Sequence, residues 1–201
     1  MTCQVANAVP IASRIAITAL ALILTVGTPP AGQAAEYVID PAHSFIQFRT
    51  QHLGISWLAG RFNRFEGSMT YNPEAGPGAQ AISVTINTRS LDTNHAERDK
   101  HLRGAFFFNV EAYPTATFVS TGFAGGPEGG TLTGDLTFLG VTKSISFDVR
   151  LIGEGDDPWG GYRAGFEGTY VLKRHDFGMI YNLGPAAENV EIHMMIEAVR
   201  R

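Results

Sequence analysis

The stretch YVIDPAHSFIQFRTQHLGISWLAGRFNRFEG, residues 37–67, decides how the rest of the chain reads. Ile46 and Phe48 alternate with Gln47 and Arg49, so a strand from Ser44 to His52 presents one apolar and one polar face. Tyr37-Val38-Ile39 and a bend at Asp40-Pro41 precede it, which makes this first strand a split one. A tip containing Leu53 to Trp57 then leads through Gly60 into a second strand, read from Arg61 to Tyr71.

The same two-residue period continues downstream. Residues 73–80, PEAGPGAQ, form a turn, and Ile82, Val84 and Ile86 alternate with Ser83, Thr85 and Asn87 in a third strand. Thr115–Phe123 and Thr131–Phe138 follow, joined by the glycine-rich AGGPEGG. Ile145, Phe147, Val149 and Leu151 then share one face, with Ser146, Asp148 and Arg150 on the other. After the turn EGDDPWGG come strands at Tyr162–Leu172 and Val190–Val199, about eight in all. The one helix signal runs from Asn94 to Arg103, with Asn94 and Glu97 at capping-box spacing and Gly104 placed to end it. It is short and highly charged, so it should lie over an edge or an open end of the sheet. Antiparallel strands in this number leave two solutions, a two-sheet sandwich or a closed barrel, and only the barrel has room for one slender ligand. Thirteen phenylalanines suit a packed core and a lined cavity equally well.

Upstream, Arg14 followed by the apolar run Ile15–Val26 and TPPAGQAA reads as a secretory signal over residues 1–35, with cleavage near Ala34 or Ala35. The run is shorter than the roughly 20 residues a membrane-spanning helix needs. Cys3 falls inside the signal, so a mature domain of residues 36–201 has no cysteine for thiolate chemistry, metal sites or disulfides. With Arg14 removed, fourteen Lys and Arg face nineteen Asp and Glu, a net charge of minus five. The basic residues are scattered, which argues against nucleic acid and against an anionic membrane surface as partners.

His43-Ser44 invites a nucleophile reading, yet strand neighbours point to opposite faces and Ser44 lacks a G-x-S-x-G elbow. A structural role at the Asp40-Pro41 bend fits it better, and no catalytic residue is assigned. None of the histidines pair at H-x-H or H-x-x-x-H spacing; His43, His52 and His101 are the first to inspect, and no metal site is assigned. Arg98 and Asp99 read either as a charged lid or as an ion pair or cap that pins the helix. Arg174 and Asp176 divide in the same way, with a strand bulge beside Gly178 as the structural reading.

A family resemblance adds to this. The opening Y-V-I-D-x-x-H-S-x-I-x-F, His52, G-R-F-N-R-F-E-G, Arg98-Asp99-x-His101-Leu102, Phe106-Phe107-Phe108 and Tyr113-Pro114-Thr115-Ala116-Thr117-Phe118 resemble the YceI-like family. So do Gly134-Asp135-Leu136-Thr137, Gly140-Val141-Thr142-Lys143 and Arg174-His175-Asp176-Phe177-Gly178. The resemblance spans the mature chain and implies an all-β fold, an extended antiparallel eight-stranded lipocalin-like barrel with one short helix. It implies export to the periplasm and non-catalytic binding, storage or transport of an isoprenoid lipid in an apolar tunnel. A polyprenyl chain or an isoprenoid quinone is the expected ligand, another long-chain amphiphile remains open, and no cofactor is required. The period-two pattern and the family together point to Ile46, Phe48, Phe62, Val84, Ile86, Phe118, Phe138, Phe147, Phe166 and Ile192 as lining, with His52 at a head group. The alternative is an enzyme acting on a lipid-like substrate in the same cavity; it would need polar groups with shifted pKa values converging deep inside. An outer-membrane barrel is disfavoured by the polar outward positions Gln47, Arg49, Ser83, Thr85, Asp148 and Arg150.

Overall fold

The structure is a computed structural model and describes residues 1–2, 34–72 and 81–201. Most of the expected signal segment and the whole turn at residues 73–80 lie outside the described residues. Eleven strand segments follow in chain order: β1 (Ala35–Ile39), β2 (Phe45–His52), β3 (Ser56–Phe62), β4 (Phe65–Tyr71), β5 (Ala81–Asn87), β6 (Leu91–Asp92), β7 (Thr115–Gly126), β8 (Gly129–Phe138), β9 (Val141–Asp156), β10 (Tyr162–Lys173) and β11 (Asn189–Arg200). One α-helix, α1 (Ala96–Arg103), is present among the described residues.

All pairings are antiparallel, and the order β1-β4-β5-β7-β8-β9-β10-β11 returns to β1, so eight segments close a barrel. β2, β3 and β6 prolong the first three staves towards one end: β2 runs along β11 where β1 leaves off, β3 pairs with β2, and β6 pairs with β3. The barrel expected from the resemblance is the observed fold, and the sandwich alternative falls away.

The first stave breaks where the sequence bends, from Asp40 to Ser44. β11 crosses this gap at Glu197, whose main-chain N–H donates to Ser44 Oγ at 2.9 Å while its carbonyl accepts from the same hydroxyl at 3.1 Å. The Asp40 N–H also donates to that carbonyl, at 2.8 Å, so the hydroxyl supplies the partner of the Glu197 N–H and a second bond to its carbonyl. The second stave, expected as one strand from Arg61 to Tyr71, is also broken. At Asn63-Arg64 the main chain turns to bond Ser90 and Asn87: Asn63 N–H to the Ser90 carbonyl at 3.1 Å, Arg64 N–H to Ser90 Oγ at 2.9 Å, and Asn87 N–H to the Arg64 carbonyl at 2.9 Å. The stave also begins earlier than expected, at Ser56. Leu53 and Gly54 both adopt positive φ in a tight turn closed by Ile55 N–H on the His52 carbonyl, so Ser56 and Trp57 already pair with β2.

β3 meets β6 only at Arg61 and Phe62, and β7 meets β5 only from Ser83 to Asn87, so α1 and residues 104–114 fill the wall between β3 and β7. The helix starts one residue later than capping-box spacing implied. Asn94 lies at φ 61°, held by its N–H on Asp92 Oδ1, and His95 is the cap, its Nδ1 accepting from Arg98 N–H at 3.2 Å. Arg98 and Asp99 both tie the helix to Thr93. Arg98 Nε donates to Thr93 Oγ1 at 2.7 Å, and Asp99 Oδ1 accepts from the Thr93 N–H at 2.9 Å and from its hydroxyl. Arg103 anchors the other end on the Arg89 and Leu91 carbonyls. Phe107 and Val110 are buried beneath this segment, and Phe107 packs with Phe138, Leu172, Phe177 and Met179.

The outer wall is polar: Arg49 pairs with Glu191 at 2.6 Å, Arg150 with Glu167 at 2.6 Å, and Thr131 donates to Asp148 at 2.8 Å. No described helix is long and apolar enough to cross a membrane. Ser44→Ala takes the partner from the part-buried Glu197 N–H and is expected to lower stability by about 1–3 kcal/mol in urea unfolding, without changing the strand content read by circular dichroism.

Candidate functional site: a blind apolar cavity

The barrel interior holds a cavity of about 760 Å³. It exists because the inward faces of the staves are filled unevenly. Gly60 and Gly134 face inward with no side chain where the Phe48 and Phe118 rings lie across them; a Cβ there would sit 2.4 Å and 2.5 Å from those rings. The large rings thus lean flat on the wall and leave the axis open.

One end of this space is shut. Tyr37, Tyr71, Ala164 and Ala198 form a buried cluster below Met69, Ile82 and Phe166, which line the cavity floor. Tyr71 meets the Phe166 ring edge-on at 5.0 Å, and burial pushes its phenol up to about 12. Phe118 with Phe147 (centroids 5.5 Å apart) and Phe147 with Tyr170 (6.2 Å) ring the middle, and burial also raises the Tyr170 phenol. The other end is open: the lining residues that are exposed, His52 at the end of β2, Leu53 in the turn after it, His101 on α1, and Tyr181 and Asn182 in the loop before β11, all stand there.

All eleven residues singled out in the sequence, Ile46, Phe48, His52, Phe62, Val84, Ile86, Phe118, Phe138, Phe147, Phe166 and Ile192, border this one cavity, with His52 at its mouth. The same alternation extends to neighbours left unnamed, among them Met69, Leu132, Tyr170 and Met194. Period two could have found these. It could not have found Leu53, Leu102, Phe108, Met179, Tyr181 and Leu183, which reach the cavity from turns and the helix segment.

Arg174 is the polar lining residue whose placement the sequence misjudged. It sits in a single 3-10 turn, Arg174–Phe177, ended by Gly178 at φ 83°, and no strand bulge occurs there. Its guanidinium is buried, donating to the Ala187 carbonyl at 2.8 Å and the Met179 carbonyl at 2.7 Å, and burial lowers its pKa. It therefore clamps the loop that forms one side of the mouth. Asp176 faces outward, 3.8 Å from Lys143. Arg98 also lines the cavity, while its guanidinium is engaged with Thr93.

The histidines do not converge. His52 and His101 stand at the mouth, whereas His43 lies on the seam, 2.8 Å from Asp40. Asp40, His43 and Glu197 lie close enough together to hold a metal ion, but a cation of the protein's own already occupies the position: Arg163 donates to Asp40 at 2.7 Å and to Glu197 at 2.6 Å. Its third partner is Asp157 at 2.8 Å. The Arg163 guanidinium and then His43 hold the Asp40 carboxyl down at about 2.

A closed antiparallel barrel with a blind, apolar, one-mouthed interior defines a lipocalin-like hollow barrel. The chain belongs to the YceI-like family: the family's domain model matches residues 37–198. A UPF0312 protein of Pseudomonas aeruginosa strain LESB58 is 52% identical over 187 residues, covering 92% of this chain and 97% of that protein. The solved YceI protein of Campylobacter jejuni superposes with a TM-score of 0.68 at 28% identity, covering 75% of this chain and 90% of the other. A polyisoprenoid binding domain from Saccharophagus degradans shares the fold at 16% identity, with a TM-score of 0.59 over 84% of this chain and 99% of that one.

The depressed Asp40 pKa has a definite sign. A carboxyl that binds its proton less readily folded than unfolded contributes stability above about pH 4 and loses it as pH falls towards about 2. Asp40→Asn should remove that contribution, so the gap in melting temperature between wild type and variant is expected to narrow steadily over the same interval.

Proposed function

We propose that this protein binds and then stores or transports an isoprenoid lipid, a polyprenyl chain or an isoprenoid quinone, within the barrel and without catalysis. The observation that carries the reading is the cavity: about 760 Å³, blind at one end, lined by aliphatic and aromatic groups to its floor, with its exposed polar residues gathered at the mouth. Its volume is in the range of roughly 300–1,000 Å³ that holds a single organic ligand. At about 0.8 kcal/mol per buried CH₂, ten to twenty chain carbons supply about 8–16 kcal/mol, enough to offset the roughly 4–15 kcal/mol lost on immobilisation. The Saccharophagus degradans neighbour is itself a polyisoprenoid binding domain, which supports the same ligand class here.

Chain and head group divide between the two zones. Phe118, Phe147, Leu132 and Met194 surround the tail, and His52, His101 and Asn182 offer hydrogen-bonding groups where a head group would rest. An enzyme in this cavity would need converging ionisable groups along the tail; of the lining there, Tyr170 offers a hydroxyl and the Glu167 carboxylate is engaged with Arg150 on the outer wall. Residues 1–35 are the export signal and the mature domain is periplasmic.

Native mass spectrometry of the mature protein, with lipid extraction, is expected to recover one bound chain per barrel, or to register uptake of added isoprenoid quinone. Val84→Trp, which fills the middle of the cavity, should weaken that uptake by at least about tenfold while the protein stays folded. His52→Ala should leave chain binding in place and alter the preference among head groups. Recovery of no lipid combined with no uptake would sink the reading. Cell fractionation and N-terminal sequencing should find the mature chain in the periplasm, beginning at or close to Glu36.

A further inference from the structure

The mouth carries more apolar surface than holding a ligand requires. Among the described residues, beyond the N-terminal methionine, the large apolar side chains more than two-thirds exposed are Leu53 at 68%, Ile55 at 84%, Phe106 at 69%, Trp159 at 78% and Ile180 at 75%. Four of these five stand around the cavity opening: Leu53 and Ile55 on the β2–β3 turn, Phe106 just after α1, and Ile180 on the loop after Gly178. The three connections are neighbours. Tyr181 packs on Phe106 (5.8 Å) and Phe107 (5.0 Å), and a Cβ on Gly54 would lie 3.9 Å from that of Ala186. Ile55, Phe106 and Ile180 do not line the cavity, so they are not exposed merely as parts of its wall. Apolar groups clustered and left in water mark a surface that is covered at some stage of the protein's work.

Charge indicates what covers it. Residues 53–60, 105–110 and 177–187 contain no Asp, Glu, Lys or Arg. At the opposite end Glu128 lies in the β7–β8 turn, Glu154 and Asp156 end β9, and Asp157, paired with Arg163, follows them. Scattered basic residues give an anionic bilayer no electrostatic hold, but a bilayer accepts the uncharged aliphatic tips in preference to the charged opposite end, with a tyrosine such as Tyr181 at the level of the head groups. We propose that the mouth docks on a lipid bilayer, its tips seated at the boundary of the acyl chains, so that a lipid passes between membrane and cavity without crossing water. This rests on the lipid-binding reading above and adds the surface from which cargo is taken or to which it is returned.

Flotation with vesicles of phosphatidylethanolamine and phosphatidylglycerol reads docking without any cargo, and loading of an isoprenoid quinone from detergent micelles reads the cavity without any docking. The mature wild-type protein is expected to float with the vesicles and to stay bound in high salt, because the contact is apolar. Combining Ile55→Ser with Ile180→Ser should weaken vesicle binding, and slow loading from vesicles, by about tenfold or more, with loading from micelles unchanged. A wild type that does not float, or a double variant that floats and loads from vesicles as the wild type does, overturns the proposal. So does a dimer, seen by sedimentation, that the two substitutions split while neither form floats. Flotation lost in the double variant, with no loading of either protein from any source, would uphold docking and remove the lipid-binding reading instead.

Discussion

A barrel is only as closed as its last seam, and here the seam depends on the hydroxyl of Ser44. β11 must pair with β1 at one end and β2 at the other, and the chain between those two swings away at Asp40-Pro41. Left alone, the gap would leave the N–H of Glu197 without a partner, since the Asp40 N–H reaches only its carbonyl. Ser44 Oγ meets both groups, and Arg163, bonded to Asp40, Asp157 and Glu197, fastens the swung-out loop over the joint. A continuous ladder is what permits a hollow interior. Most domains keep their shape by filling the core; this one can leave about 760 Å³ unfilled because hydrogen bonds between staves carry the shape instead.

The two ends of the cylinder are built by different means. Around Tyr37 and Tyr71 side chains interlock closely, Ala164 and Ala198 being fully buried against them. At the mouth, regular pairing gives out between β3 and β7, and the wall is completed by α1, a phenylalanine-rich segment and a loop held by Arg174 on two carbonyls. Rigid strands thus fix the floor and middle, while shorter, locally hydrogen-bonded pieces frame the opening.

How much of this the sequence disclosed follows from what a two-residue period can encode. Inward facing is a local property, so Ile46, Phe48, Val84, Ile86 and Ile192 could be placed from alternation, and each borders the cavity. The family motifs supplied closure, which alternation cannot, since a sandwich shows the same pattern. Boundaries set by distant partners were not legible. The break at Asn63-Arg64 depends on Ser90 and Asn87, and His95 caps the helix because Asp92 holds Asn94 in a left-handed conformation. Arg174 was misplaced for a related reason: a buried arginine whose bonded partners are main-chain carbonyls leaves no complementary charge in the sequence to mark it.

The shut floor beneath Phe166 governs how one occupant can give way to another. In a tube open at both ends a newcomer could push from behind; here the floor forbids it. On the proposed lipid-binding reading, a chain enters tail first and backs out along the same path, so its outer end is always the one presented to the surroundings. Replacement is then a queue with one door. Its pace is set by how readily the resident withdraws and hardly at all by the abundance of what waits outside.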